Sequence, residues 1–486
     1  MPPDVILALD QGSSSTRCVA YDRRLHQRGS AVRRVSTHRP SPGIVEHDPD
    51  ELLAGALEAI SEVVAGVGGG VAGIGIANQM ESFVLWERGT GRAVSPVVSW
   101  QDQRAGELCA AIGGRPEAAA IPATTGLALD PTFSAPKLAW LFAADAALRE
   151  RAETGELLFG DIASWLAWHL CGGTAHVTEP SNACRSLLVD LETLRWDAGL
   201  LDLFGVPAAL LPEIRPSDDP GVHTSGAVIG FEAPLAAMLG DQPAALYGQG
   251  CTSPRMATLT LGTGAFVWLN VGAERPEPPA GVLATVAWDR RASGPTYALE
   301  AFCANAGNAL GLLPALGFAT ADSASGAPDW ARPHPVVVLA PAGLGTPRWH
   351  DADRITVLGA SSLTTAADLG AAGVAGVAHQ IADALQAVDA PNSADVLRVG
   401  GGLSARVGLL QAVADLSGLT LEVAADLEAT ARGIATLAAE AVGLLDGDIA
   451  SHAISRRVVP RLDEGGRARE RSRWEDALNV HMREEA

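Results

Sequence analysis

The sequence predicts an α/β protein of two domains, and three observations carry that expectation. Short apolar runs alternate with amphipathic segments through much of the chain, the pattern of strands and helices taken in turn. At 486 residues the chain exceeds the length over which one hydrophobic core keeps growing. Two stretches about half a chain apart share one construction: an apolar run, a tight Gly/hydroxyl turn, and a second apolar run. Hydrophobic residues at 48% and charged residues at 19% are ample for well-packed interiors and argue against disorder over most of the chain.

The first of these stretches is Val5-Ile6-Leu7-Ala8-Leu9, which meets Asp10 and the polar turn Gln11-Gly12-Ser13-Ser14-Ser15-Thr16-Arg17 before Cys18-Val19-Ala20. The second runs from Leu259-Thr260-Leu261 through Gly262-Thr263-Gly264 into Phe266-Val267-Trp268-Leu269. A strand, turn, strand of this kind points backbone N–H groups and hydroxyls into one concavity where an anion can sit. Gly beside Ser or Thr is equally the chemistry of an ordinary hairpin. A third element favours the anion: Val396-Leu397-Arg398-Val399 ends in Gly400-Gly401-Gly402 ahead of the helical pattern Leu409, Leu410, Val413, Leu416. Three such turns in one chain point to a phosphate chain held between two lobes.

Between the turns, Val71 to Ala77 reads as a buried strand that delivers Asn78-Gln79-Met80-Glu81 to its carboxyl end, where ligands of open α/β sheets collect. Asn78 and Gln79 there either orient a ligand or bridge strand and pocket. Val97-Val98-Ser99-Trp100 similarly delivers Gln101-Asp102-Gln103-Arg104. An Ala-rich apolar stretch from Pro234 leads to Gly240-Asp241-Gln242 and a helical pattern ending near Gly250. The expected division is residues 1–250 as a first domain and 251–445 as a second, with a proline-rich loop from Glu274 to Gly281. Residues 446–486, dense in Arg and Glu from Asp463 onward, are expected as a charged tail, a solvated helix or a frayed end.

A formal charge of −21 excludes nucleic acid and anionic membrane surfaces as general partners, since both need a basic footprint. Lysine occurs only at Lys137, with no G-x-x-x-x-G-K pattern around it, which excludes a Walker-type loop. The six cysteines are scattered without metal spacing, favouring reduced, buried thiols and a cytoplasmic location. The chain enters its first strand without the basic and apolar segments of a signal peptide, and no 18-residue apolar run suggests a membrane span.

At these positions the chain resembles the FGGY carbohydrate kinases, and within them the glycerol kinases. The resemblance rests on Leu9 to Arg17, Val45-Glu46-His47-Asp48-Pro49, Asn78-Gln79, Ser99 to Asp102, and Asp130-Pro131-Thr132-Phe133-Ser134. It continues through His176 to Ala183, Gly240-Asp241-Gln242, Gly262 to Phe266 and Gly401-Gly402-Leu403-Ser404, in family order over residues 5 to 445. It implies two actin-like (ribonuclease H-like) domains with an ATP cleft between them, holding ATP with Mg²⁺ and a small polyhydroxy substrate. A homodimer is expected by the same analogy.

The resemblance also assigns roles. Asp241 matches the catalytic base; as Asp ahead of Gln-Pro-Ala-Ala it also reads as a helix cap, and the two roles are compatible. Asp10, together with Asp241, would hold Mg²⁺ directly or through water. Ser13, Ser14, Ser15 and Arg17 match the first phosphate grip, Gly262, Thr263 and Gly264 the second, and Gly307, Gly402 and Arg406 the nucleoside site, where Arg406 replaces a frequent Asn. Glu81, Asp241, Gln242 and Phe266 match the substrate side, whereas Met80 stands where an Arg is expected and Thr132 where a Tyr is expected.

Exchanging a guanidinium for a thioether removes fixed donors to substrate hydroxyls, which changes what a hydroxyl-reading site binds. Met after Gln is also reminiscent of xylulose kinases. The expected function is ATP-dependent phosphorylation of a primary hydroxyl of a small polyol, glycerol first. Its alternatives are a ketopentose such as xylulose or a longer polyol such as erythritol, and, in another class, a non-catalytic nucleotide-binding protein of actin-like fold. Retention of Asp10, both turns and Asp241 argues against the last.

Overall fold

Val5–Gln11 (β1) is apolar along its length and buried from Val5 to Leu9, as befits a strand covered on both faces. In the structure, a computed structural model describing residues 4–318, 329–350, 353–426, 428–445 and 453–483, β1 sits at the middle of a mixed sheet. It pairs antiparallel with β2 (Ser15–Tyr21), which pairs antiparallel with β3 (Gln27–Arg34). On its other side lie β4 (Val71–Asn78) and β5 (Leu235–Gly240), both parallel. The order is β3-β2-β1-β4-β5.

The second lobe repeats this plan. β6 (Met256–Leu261), β7 (Ala265–Gly272), β8 (Leu283–Arg290), β9 (Gly294–Cys303), β10 (Val396–Gly400), β11 (Leu421–Ala424) and β12 (Ile454–Val458) form one sheet ordered β8-β9-β7-β6-β10-β11-β12. Its inner run β9-β7-β6-β10-β11 reproduces the first sheet, three strands antiparallel and then two parallel. β8 and β12 extend it at the edges, both antiparallel to their neighbours. This is the doubled topology of the actin-like expectation.

Four of the helices show how these sheets are covered. α1 (Asp241–Gly248) leaves the end of β5. α2 (Ala366–Ala387) starts from a capping box in which Thr365 and Asp368 satisfy each other's backbone N–H groups. α3 (Ala429–Ala441) belongs by sequence to the expected second domain but packs on the first. Its Ile434, Leu437 and Ala438 share a cluster with Ile6 and Ala8 of β1 and Ala236 of β5. The reason is steric. Gly248 and Gly433 let α1 and α3 touch backbone to backbone, since a Cβ at Gly433 would run into the Ala244 carbonyl oxygen and one at Gly248 into that of Ala429.

The expected charged tail is corrected by α4 (Glu464–Arg483) and by β12, which closes the edge of the second sheet. Trp474, Ala477 and Leu478 are buried with Val336, Val338 and Ala340. Trp474 Nε1 donates to Asp383 Oδ2 at 2.8 Å, and its ring stacks on His379 with centroids 4.8 Å apart. The buried positions Glu470, Trp474, Ala477, Leu478 and His481 form a narrow stripe at helical spacing, outnumbered by the charges around it. Residues 446–452 and 484–486 of the expected tail lie outside the described residues. Trp474→Phe, which keeps an aromatic ring but loses both the bond to Asp383 and the volume of the pyrrole ring, is expected to lower stability by about 2 kcal/mol or more, read as a shift in the urea midpoint. Among the described residues no helix is long and apolar enough to cross a membrane.

Candidate functional site

Three strands of the first sheet, all running the same way, end at one place. β1 delivers Asp10, β4 delivers Asn78 to Glu81, and β5 delivers Asp241. This is the carboxyl edge at which ligands of α/β sheets bind. Against it lies a cavity of about 210 Å³ that also takes walls from the second lobe. Every substrate-side residue expected from the sequence lines it: Met80, Glu81, Thr132, Asp241, Gln242 and Phe266.

Ser13 of the first glycine turn reaches the same cavity. Its hydroxyl donates to Gln79 Oε1 at 2.8 Å and accepts from Trp100 Nε1 at 3.0 Å. Gln79 also accepts from Ser82 Oγ at 3.1 Å, so it bridges strand end, turn and pocket. Thr132 is held by its neighbours: its carbonyl accepts from Lys137 Nζ at 2.5 Å and its N–H donates to Asp130 Oδ1 at 2.8 Å. Lys137 is fully buried, also donates to the Ser99 carbonyl, and is pushed down to about 7 by that burial. Phe266 and Phe302, with centroids 4.9 Å apart, make an aromatic wall.

Asp241 opens α1 but is not its cap, which is Gly240; its carboxylate accepts the Gln242 N–H at 2.8 Å. Burial pushes its pKa up to about 8, helped by the negative charges of Asp10, Glu81 and Glu300. Asp10 is raised to about 6 by burial, with Arg17 opposing. Neither carboxylate has an ion pair among the described residues. Asp10 and Asp241, partly buried at strand ends of one sheet and close enough for the charge of Asp10 to raise Asp241, are a donor set that suits a hard divalent ion.

The remaining expected residues lie at the rims of the two turns. Gly12 N–H donates to the Ser15 carbonyl at 3.0 Å, leaving Ser14 exposed at the tip. Gly262 N–H donates to the Gly264 carbonyl at 2.9 Å, and Gly262 and Thr263 are exposed. Gly307 packs against this second turn, its N–H donating to the Gly262 carbonyl at 3.0 Å. A Cβ on Gly307 would come to 2.8 Å of that oxygen. Gly402 follows β10, whose Gly400 pairs in register with Thr260, so it lies at the same sheet end, with Arg406 exposed just beyond it. Arg17 pairs with Glu428, the residue ahead of α3.

Trp100 stands in the cavity wall, whereas sequence reasoning gave no site role to Asp130, Glu300, Phe302 and above all Arg185, which also line it. Arg185 Nε donates to Glu81 Oε1 and its Nη1 to Glu300 Oε2, each at 2.6 Å. A usable signal was the charge balance itself, because a Glu81 buried beside Met80 demands a cation from elsewhere in the chain.

Comparison with known proteins matches residues 5–248 to the N-terminal domain and 257–442 to the C-terminal domain of the FGGY family of carbohydrate kinases. A glycerol kinase of Citrifermentans bemidjiense is 40% identical over 99% of both chains, and one of Thermus brockianus 39% identical over 97% of both. Among solved structures, a Plasmodium falciparum glycerol kinase with ADP superposes with a TM-score of 0.92 at 27% identity over 98% of both chains. A xylulose kinase from Lactobacillus acidophilus has a TM-score of 0.85 at 19% identity, covering 98% of this chain and 97% of its own.

Proposed function

The chain belongs to the FGGY family of carbohydrate kinases, and from that premise we propose that it transfers the γ-phosphoryl group of ATP to a primary hydroxyl of glycerol, with Asp241 as the general base. The carrying observation is Asp241 itself, a carboxylate in the cavity between the lobes whose raised pKa, about 8, suits removal of a hydroxyl proton near neutral pH.

Phosphoryl transfer asks a protein chiefly to position the acceptor and to neutralise developing charge. The acceptor lies in the cavity with its hydroxyls toward Glu81 and Gln242 and its carbon chain on Phe266. Asp241 takes the proton of the attacking oxygen. Ser13, Ser14, Ser15 and Arg17 hold the phosphates from one lobe, and Gly262, Thr263 and Gly264 from the other. Gly307, Gly402 and Arg406 line the nucleoside. Asp10 and Asp241 would hold Mg²⁺, which neutralises phosphate oxygens when bound. Arg17 exchanges its present partner Glu428 for phosphate in this reading. Support for glycerol comes from the curated relatives of that name, which match nearly end to end. The six cysteines, all free and buried, support a reducing compartment, the cytoplasm.

One observation favours a second reading. Met80 and Thr132 stand in the cavity wall with neither the guanidinium nor the phenol that the family places there. A ketopentose or a longer polyol then competes with glycerol. ADP release with Mg·ATP over glycerol, erythritol, xylitol, D-xylulose and D-ribulose separates the two. The expected result is saturable turnover with the highest kcat/KM on glycerol. A longer substrate leading the panel, with glycerol inert, replaces glycerol; no turnover on any of them overturns the polyol reading.

A further inference from the structure

Glu81 has a backbone φ of 59°, in the left-handed region that a residue with a Cβ adopts only where its surroundings enforce it. Two contacts enforce it here. Ser134 Oγ donates to the Glu81 carbonyl at 2.9 Å, and Arg185 Nε grips Oε1 at 2.6 Å. Strain held in place at a cavity wall fixes the direction of one carboxylate. The group that fixes it, Arg185, enters from a buried 3-10 turn, Cys184–Ser186, far along the chain.

The Arg185 guanidinium is itself immobilised on three sides. Nη1 donates to Glu300 on β9 of the second lobe, and the guanidinium carbon lies 5.3 Å from the centroid of the Phe133 ring. Nη2 makes no hydrogen bond among the described residues, although the side chain lines the cavity. A planar fork with two arms tied to carboxylates leaves its remaining N–H groups in a set direction. Around it the cavity wall carries Glu81, Asp130, Asp241 and Glu300, and Arg185 is its one cation among the described residues.

We propose that Arg185 is a substrate-binding, specificity-determining residue. Its Nη2 donates to a hydroxyl of the acceptor, supplying from position 185 the guanidinium that Met80 lacks, while Glu81 accepts from the acceptor beside it. Because Glu300 comes from the second lobe, the acceptor is read by a side chain anchored on carboxylates of both lobes. The assignment rests on the polyol kinase reading above.

Arg185→Lys keeps the charge but loses the fork. It is expected to raise KM for glycerol on the order of 10- to 100-fold, the weight of one hydrogen bond from a charged donor. KM for ATP should stay within about twofold, since a lost acceptor contact leaves nucleotide binding untouched. A merely structural role would instead lower the urea midpoint and shift both constants together. If the lysine variant does not fold, Arg185→Gln combined with Glu300→Gln, which removes the cation with one of its carboxylates, is read in the same way. A folded variant with an unchanged KM for glycerol overturns the assignment alone. A wild-type enzyme inactive on glycerol overturns the glycerol reading and this assignment with it, so the two failures are distinct.

Discussion

Asp241→Asn is expected to lower kcat on the order of 10²- to 10⁴-fold, the usual weight of a positioned base, and at the same time to stabilise the fold at neutral and higher pH. The two effects share one cause. Burial together with the charges of Asp10, Glu81 and Glu300 lifts the Asp241 carboxyl from an ordinary 3.8 to about 8. The folded state therefore holds this proton more tightly than the unfolded chain does. The contribution of Asp241 to stability is fully present below about pH 4 and is lost as the pH rises toward 8, because the unfolded state then binds fewer protons at this group. Asparagine keeps the shape and removes that charge, so the gain over wild type should vanish near pH 4 and reach on the order of 3–5 kcal/mol at pH 8.

Urea midpoints at pH 4.5 and 8, with ADP release on the same preparations, check both halves. Turnover that survives the substitution removes Asp241 as the base, and a midpoint difference independent of pH shows that its carboxyl is not raised. Wild-type kcat/KM for the acceptor should also fall as the pH drops below 8, since a base must be deprotonated to act.

Gly433→Ala should destabilise the protein by about 3 kcal/mol or more, against the general rule for a glycine inside a helix. By propensity alone, alanine there would be worth about 1 kcal/mol in favour of folding. The opposite sign is expected because α3 and α1 touch through Gly433 and Gly248. A methyl at position 433 would meet the Ala244 carbonyl oxygen and come to 2.7 Å of the Gly248 nitrogen. α1 begins at Asp241, so any relief obtained by moving α1 displaces the proposed base as well. Both the urea midpoint and kcat should therefore fall. A variant as stable and active as wild type would show that the helices have room at this crossing.

The parts of the site that were legible in the sequence are those written in consecutive residues. A strand that runs into Asp10 and Gly12-Ser13-Ser14-Ser15 declares its turn locally, and so do Gly262-Thr263-Gly264 and Gly240-Asp241-Gln242. Resemblance then added Glu81, Gln242 and Phe266, and the structure places them with Asp241 in one cavity. The tail was misread because composition averages over a helix, whereas burial depends on its one stripe at Trp474, Ala477 and Leu478. α3 lies between strands of the second sheet in the chain yet packs on the first sheet, a placement no local pattern declares, because two glycines allow it to approach.

By itself, then, the sequence determined the strand ends, the hydroxyl-rich turns, the net negative charge, and the family. Backbone geometry and short-range side-chain chemistry set these within a few residues of one another. Only the tertiary structure decided which charges meet. Arg185 stands 104 residues from Glu81 and 115 from Glu300, yet both bonds measure 2.6 Å. No periodicity or turn signal encodes a pairing at that separation, because it is formed by the packing of two lobes and enforced by the cost of burying Glu81 and Glu300 without a cation.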